Sequence, residues 1–152
     1  MFAPFQSAWD GFFRPMFQRP PRVQVAALCY RKTKSGRKKV LLVTSRGTGR
    51  WILPKGWPIR GKESAQAAMQ EAWEEAGVRG RAKPDAIGCY HYAKAHESGW
   101  AEPIEASVYP IKVETLADDF PECDQRTRRW VSPDEAANLV DEPELKDLLR
   151  SL

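Results

Sequence analysis

The run SAQAAMQEAWEEA, residues 64–76, has the periodicity of an amphipathic helix, and that helix carries a conflict that only the rest of the fold can resolve. On a wheel of about 100° per residue, Ala65, Ala68, Met69, Ala72 and Ala76 form one apolar stripe that belongs to a core. Glu71, Glu74 and Glu75, at i, i+3 and i+4, crowd beside it, and within the helix no Lys or Arg stands four residues from any of them. They also occupy the last turns before a Gly77 stop, where the helix dipole disfavours carboxylates. Every local term opposes this arrangement, so the fold must bring positive charge or a cation to this face.

The chain holds that charge in its first half. Residues 1–62 contain 14 Lys and Arg against one acid, Asp10, a net +13, whereas residues 63–152 contain 10 against 19 acids, a net −9. Folded together, the halves set a basic surface against an acidic one, and such a cleft attracts polyanions and divalent cations. The loop RGTGRWILPKGWPIRGK, which leads into the helix, supplies Arg46, Arg50, Lys55, Arg60 and Lys62 with no acid among them. Lys55 in the PKG turn is the foremost candidate to hold an anion, and Arg126, Arg128 and Arg129 form a second cluster. Three hard carboxylate ligands on one helical face suit Mg²⁺ or Mn²⁺, which take carboxylates together with waters and substrate phosphates.

At 152 residues the chain is expected to make one domain over 23–152, preceded by an aromatic, proline-broken extension over 1–22. Within the extension Phe5, Trp9, Phe12 and Phe13 have helical spacing, and their apolar face is expected to pack on the domain or to support a homodimer. The prolines and Asp10 interrupt every candidate leader segment, and no apolar run reaches the roughly 18 residues needed to span a bilayer. Cys29, Cys89 and Cys123 are dispersed and odd in number, which argues against a disulfide framework or a zinc site and for a reducing cytoplasm. Strands are expected over 23–30, 39–45, 86–93, 104–113 and 126–131, with hairpin turns at KTKSGRKK and ESGWAEP. Ser132 before Pro133, with Glu135 three residues on, marks the start of a helix over 133–140, and PELKDLL closes the chain as another.

The run GWPIRGKESAQAAMQEAWEEAGV, residues 56–78, resembles the Nudix box, with Gly56, Glu71, Glu74, Glu75, Gly77 and Val78 in register. RWILPKG before it and the order of strands and helices resemble the diphosphoinositol polyphosphate and dinucleoside polyphosphate branch of that family. Lys62 stands where the pattern has its first Glu, Gln70 where it has Arg, and Ala72 at its aliphatic position. In the family that Glu and Arg hold the loop against the helix; losing both partners together strands no charge, and Glu63 offers a slipped substitute. The resemblance implies an α/β fold, an α/β/α sandwich with a mixed β-sheet between helices. It also implies Mg²⁺-dependent hydrolysis of a phosphoanhydride in a small polyphosphorylated substrate, with Glu71, Glu74 and Glu75 as metal ligands.

The proton acceptor for the attacking water is one of those three or an acid outside the helix such as Glu105. Arg46, Arg50, Lys55, Arg60, Lys62 and Arg128 are the expected phosphate contacts, a density of cations that places an inositol pyrophosphate slightly ahead of a dinucleoside polyphosphate. Trp57 and Trp100 either stack on a base or cap the core. His91 and His96 have no partner at fixed spacing. A non-catalytic RNA or nucleotide-binding module would explain the basic half and the sequence pI near 9.0, but not the crowded carboxylates. Neither a membrane partner nor a stable nucleic-acid complex is expected.

Overall fold

Strand β1 (Arg22–Lys32) is buried continuously from Gln24 to Cys29, a state a strand reaches only at the centre of a sheet covered on both faces. The structure is a computed structural model and describes residues 20–152. β1 runs parallel to β7 (Ala101–Leu116), with Arg22 opposite Ile104 and Tyr30 opposite Lys112. It pairs antiparallel with β2 (Lys38–Thr44) only from Tyr30 to Lys32. Beyond that point the two strands diverge. The gap is filled by β3 (Trp51–Ile52) on β2 and β4 (Lys55–Gly56) on β1, and the amide of Ala27 donates to the Pro54 carbonyl at 2.8 Å. The Gly- and Pro-rich segment expected as loop thus contributes two short strands, because Ile52, Leu53 and Pro54 are drawn into the core.

β5 (Val78–Ala82) and β6 (Gly88–Ala95) both pair antiparallel with β7, and β8 (Arg128–Val131) takes the outer edge of β2. The result is an eight-stranded mixed sheet. Helix α1 (Ser64–Ala76) covers one face, where Ala67, Ala68, Ala72 and Ala76 meet Val25, Ala27, Cys29, Leu41 and Val43. Helices α2 (Pro133–Leu139) and α3 (Pro143–Arg150) cover the other, where Ala136, Val140, Leu145 and Leu149 meet Leu28, Leu42, Tyr90 and Val108. The fold is the expected α/β/α sandwich. Ser132 caps α2, its Oγ accepting from the Glu135 amide at 3.1 Å.

Two further differences from the sequence reading have physical causes. β5 carries VRGRA, in which Val78, Gly80 and Ala82 alternate with two arginines but are too small and too few to announce a strand, and forms because β7 continues to Leu116 and needs an antiparallel partner. A bulge at Arg79/Gly80 bends it, and a Cβ on Gly80 would strike the Lys112 carbonyl. On α1 the expected Ala65, Ala68, Ala72 and Ala76 are buried, but Ala67 joins them while Met69 is only partly buried, since the small side chains occupy the close approach to the sheet and the long one lies at its margin. The expected N-terminal helix at Phe5, Trp9, Phe12 and Phe13, and with it the homodimer, lies outside the described residues. No helix among the described residues is long and apolar enough to cross a membrane.

Candidate active site

α1 starts after Glu63, whose side chain makes no cap bond, and stops at Gly77 in the left-handed region at φ 69°. A side chain at Gly77 would also strike the Phe120 ring and the Ala117 carbonyl, so both geometry and packing require glycine there. At the loop end, Gly56 lies so close to the Glu71 carboxyl that a Cβ would overlap it. Glu71 and Glu75, one turn apart, line an open cavity of about 830 Å³. Burial, reinforced by Glu71, pushes Glu75 up to about 8, and burial likewise raises Glu71.

The counter-charge that the helix lacks comes from across the chain. Arg126, with its side chain 6% exposed, places Nη2 3.3 Å from Glu75 Oε1 and 2.8 Å from Glu122 Oε1, and its Nη1 donates to the Thr44 carbonyl at 3.0 Å. Arg128 serves the helix end: its Nη1 donates to the carbonyls of Ala76 at 2.9 Å and Ala117 at 2.7 Å, and its guanidinium lies 4.8 Å from the centre of the Phe120 ring. A cation at a helix C-terminus offsets the dipole that disfavours the glutamates.

Glu74 stands aside from the cavity. Its Oε1 accepts from Gln70 Nε2 at 3.0 Å, and Gln70 Oε1 accepts in turn from Lys62 Nζ at 2.7 Å. The Lys62 and Gln70 departures from the box therefore form a pair of their own that ties loop to helix, and Glu63 is not needed for that purpose. Among the described residues no group of three His, Cys, Asp or Glu side chains is close enough to enclose an ion. Glu71 and Glu75 nevertheless fit a divalent cation, because the two carboxyls lie together in one cavity as hard oxygen donors, and burial raises both, a cost that a bound cation would offset.

Of the expected phosphate contacts, Arg46, Arg50 and Lys55 reach the cavity wall; Arg60, Lys62 and Arg128 do not. Lys55, on β4, lies with Nζ 5.0 Å from the centre of the Tyr92 ring. Burial lowers its pKa to about 8, with Glu75 and Glu142 opposing that effect. Arg50 Nη1 lies 3.2 Å from both Asp141 Oδ2 and Glu142 Oε2, and Arg46 lies 3.8 Å from Glu122 Oε1. Glu105 is outside the cavity, with Oε1 3.0 Å from His91 Nε2; His91 Nδ1 is also 2.9 Å from Glu144 Oε1. Both histidines thus have partners that no sequence spacing announces, His96 lying 3.2 Å from Glu102. Arg129 pairs with Glu135 at 3.1 Å, away from the cavity.

The cavity wall also contains Tyr92, Lys94, Glu122 and Glu142, which the sequence reading did not single out. Tyr90, Tyr92 and Lys94 alternate along β6, so their common face was legible in principle. Glu122 gives no such signal: its place is set by the bond from its own amide to the Glu74 carbonyl, 3.0 Å.

A NUDIX domain profile matches residues 20–152. The chain belongs to the Nudix hydrolase family. It is 33% identical over 114 residues to "Nudix hydrolase 16, mitochondrial" of Arabidopsis thaliana, covering 73% of this chain and 63% of that one. It is 30% identical over 120 residues to "Diphosphoinositol polyphosphate phosphohydrolase 3-beta" of Homo sapiens, covering 77% and 68%. The chain spans 45% to 63% of the length of five of the plant Nudix hydrolases it matches. Among solved structures, the C. elegans Ap4A hydrolase superimposes with a TM-score of 0.61 at 22% identity, covering 86% of this chain and 95% of that one, a likeness of fold.

Proposed function

We propose that this Nudix chain is a Mg²⁺-dependent hydrolase of a phosphoanhydride bond in a small polyphosphorylated substrate. The observation that carries the reading is the Glu71 and Glu75 carboxyl pair set in one cavity with Lys55, Arg46 and Arg50. Glu71 and Glu75 would hold the ion, while Glu74, the third carboxylate of the motif, stands aside from the cavity in its bond with Gln70. Bound there, Mg²⁺, or Mn²⁺ in its place, neutralises phosphate charge and lowers the pKa of a water. The protein's own share is positional and electrostatic. Lys55 and Arg46 receive phosphate oxygens, Arg126 keeps Glu75 oriented, and the Lys62, Gln70 and Glu74 chain holds the loop on the helix. Since Glu105 lies off the cavity, the proton acceptor falls to Glu71, Glu75 or Glu122.

The cavity wall carries fewer cations than the sequence clusters contain, and it adds two aromatic side chains, Trp57 and Tyr92. That composition favours a dinucleoside polyphosphate, which has fewer charges and two bases. An inositol pyrophosphate is the second reading, favoured by the similarity to the human diphosphoinositol polyphosphate phosphohydrolase. A cytoplasmic location rests on the three free cysteines.

The test is turnover of both substrates with Mg²⁺, with chelator, and in Glu75→Gln. The expected loss of kcat in Glu75→Gln is at least about 100-fold, with the circular dichroism spectrum unchanged. Equal turnover in chelator, or wild-type kcat in Glu75→Gln at saturating Mg²⁺, overturns the reading.

A further inference from the structure

The hairpin joining β6 to β7 ends in an exposed aromatic pair that the catalytic reading does not use. Trp100 is 52% exposed, and its indole lies flat on the His96 imidazole, centroids 4.4 Å apart and planes within 5°. A stack of this kind covers one face of the indole and leaves the other to solvent. The pair is braced from below. His96 Nε2 lies 3.2 Å from Glu102 Oε1, Glu102 is itself buried, and its Oε2 accepts from Arg22 at 3.0 Å. The Arg22 guanidinium in turn lies 4.0 Å from the centre of the Trp57 ring, on the cavity wall. An exposed indole costs solvation, and a surface side chain of no consequence has no need of a buried carboxylate to hold its neighbour in plane.

The platform is continuous with the cavity. Ala93, Lys94 and Ala95 line the cavity, and the next residue along the strand is His96, whose amide donates to the Trp100 carbonyl at 3.0 Å. Two or three strand residues span about 7–10 Å, the reach of a short polyphosphate chain. Lys94, with Nζ 5.1 Å from the centre of the Trp57 ring, stands between cavity and platform as a cation on that path. Rigid, planar, apolar and wet on one side, the platform is suited to a flat heteroaromatic ring and offers nothing to a saturated polyanion such as an inositol phosphate.

We infer that the Trp100 and His96 stack is a binding platform for a nucleobase of a nucleotide-type substrate whose phosphates lie in the cavity, and so a specificity determinant selecting dinucleoside polyphosphates. The inference rests on the proposed phosphoanhydride chemistry only for the word substrate, and its test needs no turnover. Binding of diadenosine tetraphosphate and of inorganic tripolyphosphate is measured by calorimetry without divalent metal, for the wild type, Trp100→Ala and Trp100→Phe. Trp100→Ala should weaken the dinucleotide about tenfold, in line with the stacking of one base, and shift tripolyphosphate less than about twofold, while Trp100→Phe recovers most of the loss. Unchanged dinucleotide affinity in Trp100→Ala, or parallel weakening of both ligands, overturns the platform. Preferential binding of an RNA oligonucleotide that Trp100→Ala abolishes overturns its assignment to a small substrate. Base-dependent binding that Trp100→Ala removes, in a protein that turns over nothing with Mg²⁺, leaves the platform standing and overturns the hydrolase reading alone. Turnover with no effect at Trp100 does the reverse.

Discussion

Replacing Arg128 by Ala should damage the stability of the protein far more than its affinity for phosphates. One nitrogen of this side chain donates to two carbonyls, those of Ala76 and Ala117, at 2.9 and 2.7 Å, and the side chain is 20% exposed. A hydrogen bond from a charged donor contributes about 1.5–3 kcal/mol. The two share one group, and water entering a partly exposed site recovers some of the loss, so the expected destabilisation is about 3 kcal/mol. The salt bridge to Asp118, 3.6 Å away on a fully exposed side chain, adds nothing measurable. For a domain of this size, 1 kcal/mol moves Tm by about 3–5 °C, so thermal unfolding followed by circular dichroism should fall by about 9–15 °C. Arg128→Lys, which keeps the charge but not the fork, should recover part of the difference. KM for any phosphoanhydride substrate, measured well below the new Tm, should stay within about twofold, since the side chain does not reach the cavity. A Tm unchanged within about 2 °C together with a tenfold rise in KM would refute this reasoning and return Arg128 to the phosphates.

The close approach of Gly56 to the tip of the Glu71 side chain predicts that Gly56→Ala displaces that flexible carboxyl, lowering kcat by about 10-fold or more while Tm moves by only a few degrees; a large fall in Tm with normal kcat would contradict it. Because Glu75 titrates at about 8 in the metal-free protein, Mg²⁺ binding near pH 7 should release about one proton, fewer as the pH rises above 8; calorimetry in buffers of different ionisation enthalpy reads this directly, and buffer-independent heats would contradict it. Lys55, lowered to about 8, loses its charge as pH rises through that value, so 1/KM should decline there, and Lys55→Arg should carry the decline to higher pH.

The elements that announce themselves in the sequence are those whose side chains alone explain their burial. The double-faced apolar run Val25 to Cys29, the alanine stripe of α1 and the Ser132 cap each carry a local signal, and each is found where the pattern places it. β5 has only the weak alternation of Val78, Gly80 and Ala82 with two arginines, and VRGRA becomes a strand only when β7 is there to pair with it. The same division holds at the site. Glu71, Glu75 and Lys55 are legible from spacing and from the PKG turn, whereas Arg126 and Arg128, two residues apart in one basic cluster, go to different tasks. A guanidinium that reaches a buried carboxylate and one that reaches two helix-end carbonyls have the same composition; only the path of the chain after Phe120 separates them. Trp57 and Trp100 are likewise indistinguishable by type, yet one lies in the cavity wall under Arg22 and the other stands half in solvent on His96.

The dependence of α1 on residues some 50 positions further along the chain makes the helix a product of the whole domain. Without Arg126 and Arg128, Glu75 and the last carbonyls of α1 lack their guanidinium partners. Arg126 and Arg128 are carried to the helix by the seating of β8 along β2, in a sheet that also needs the parallel pairing of β1 with β7. Contacts of such long sequence separation form late and slowly. The carboxylate pair is complete only in the whole domain, so that a chain interrupted before residue 126 holds every motif residue of the helix and still lacks the guanidinium that faces Glu75.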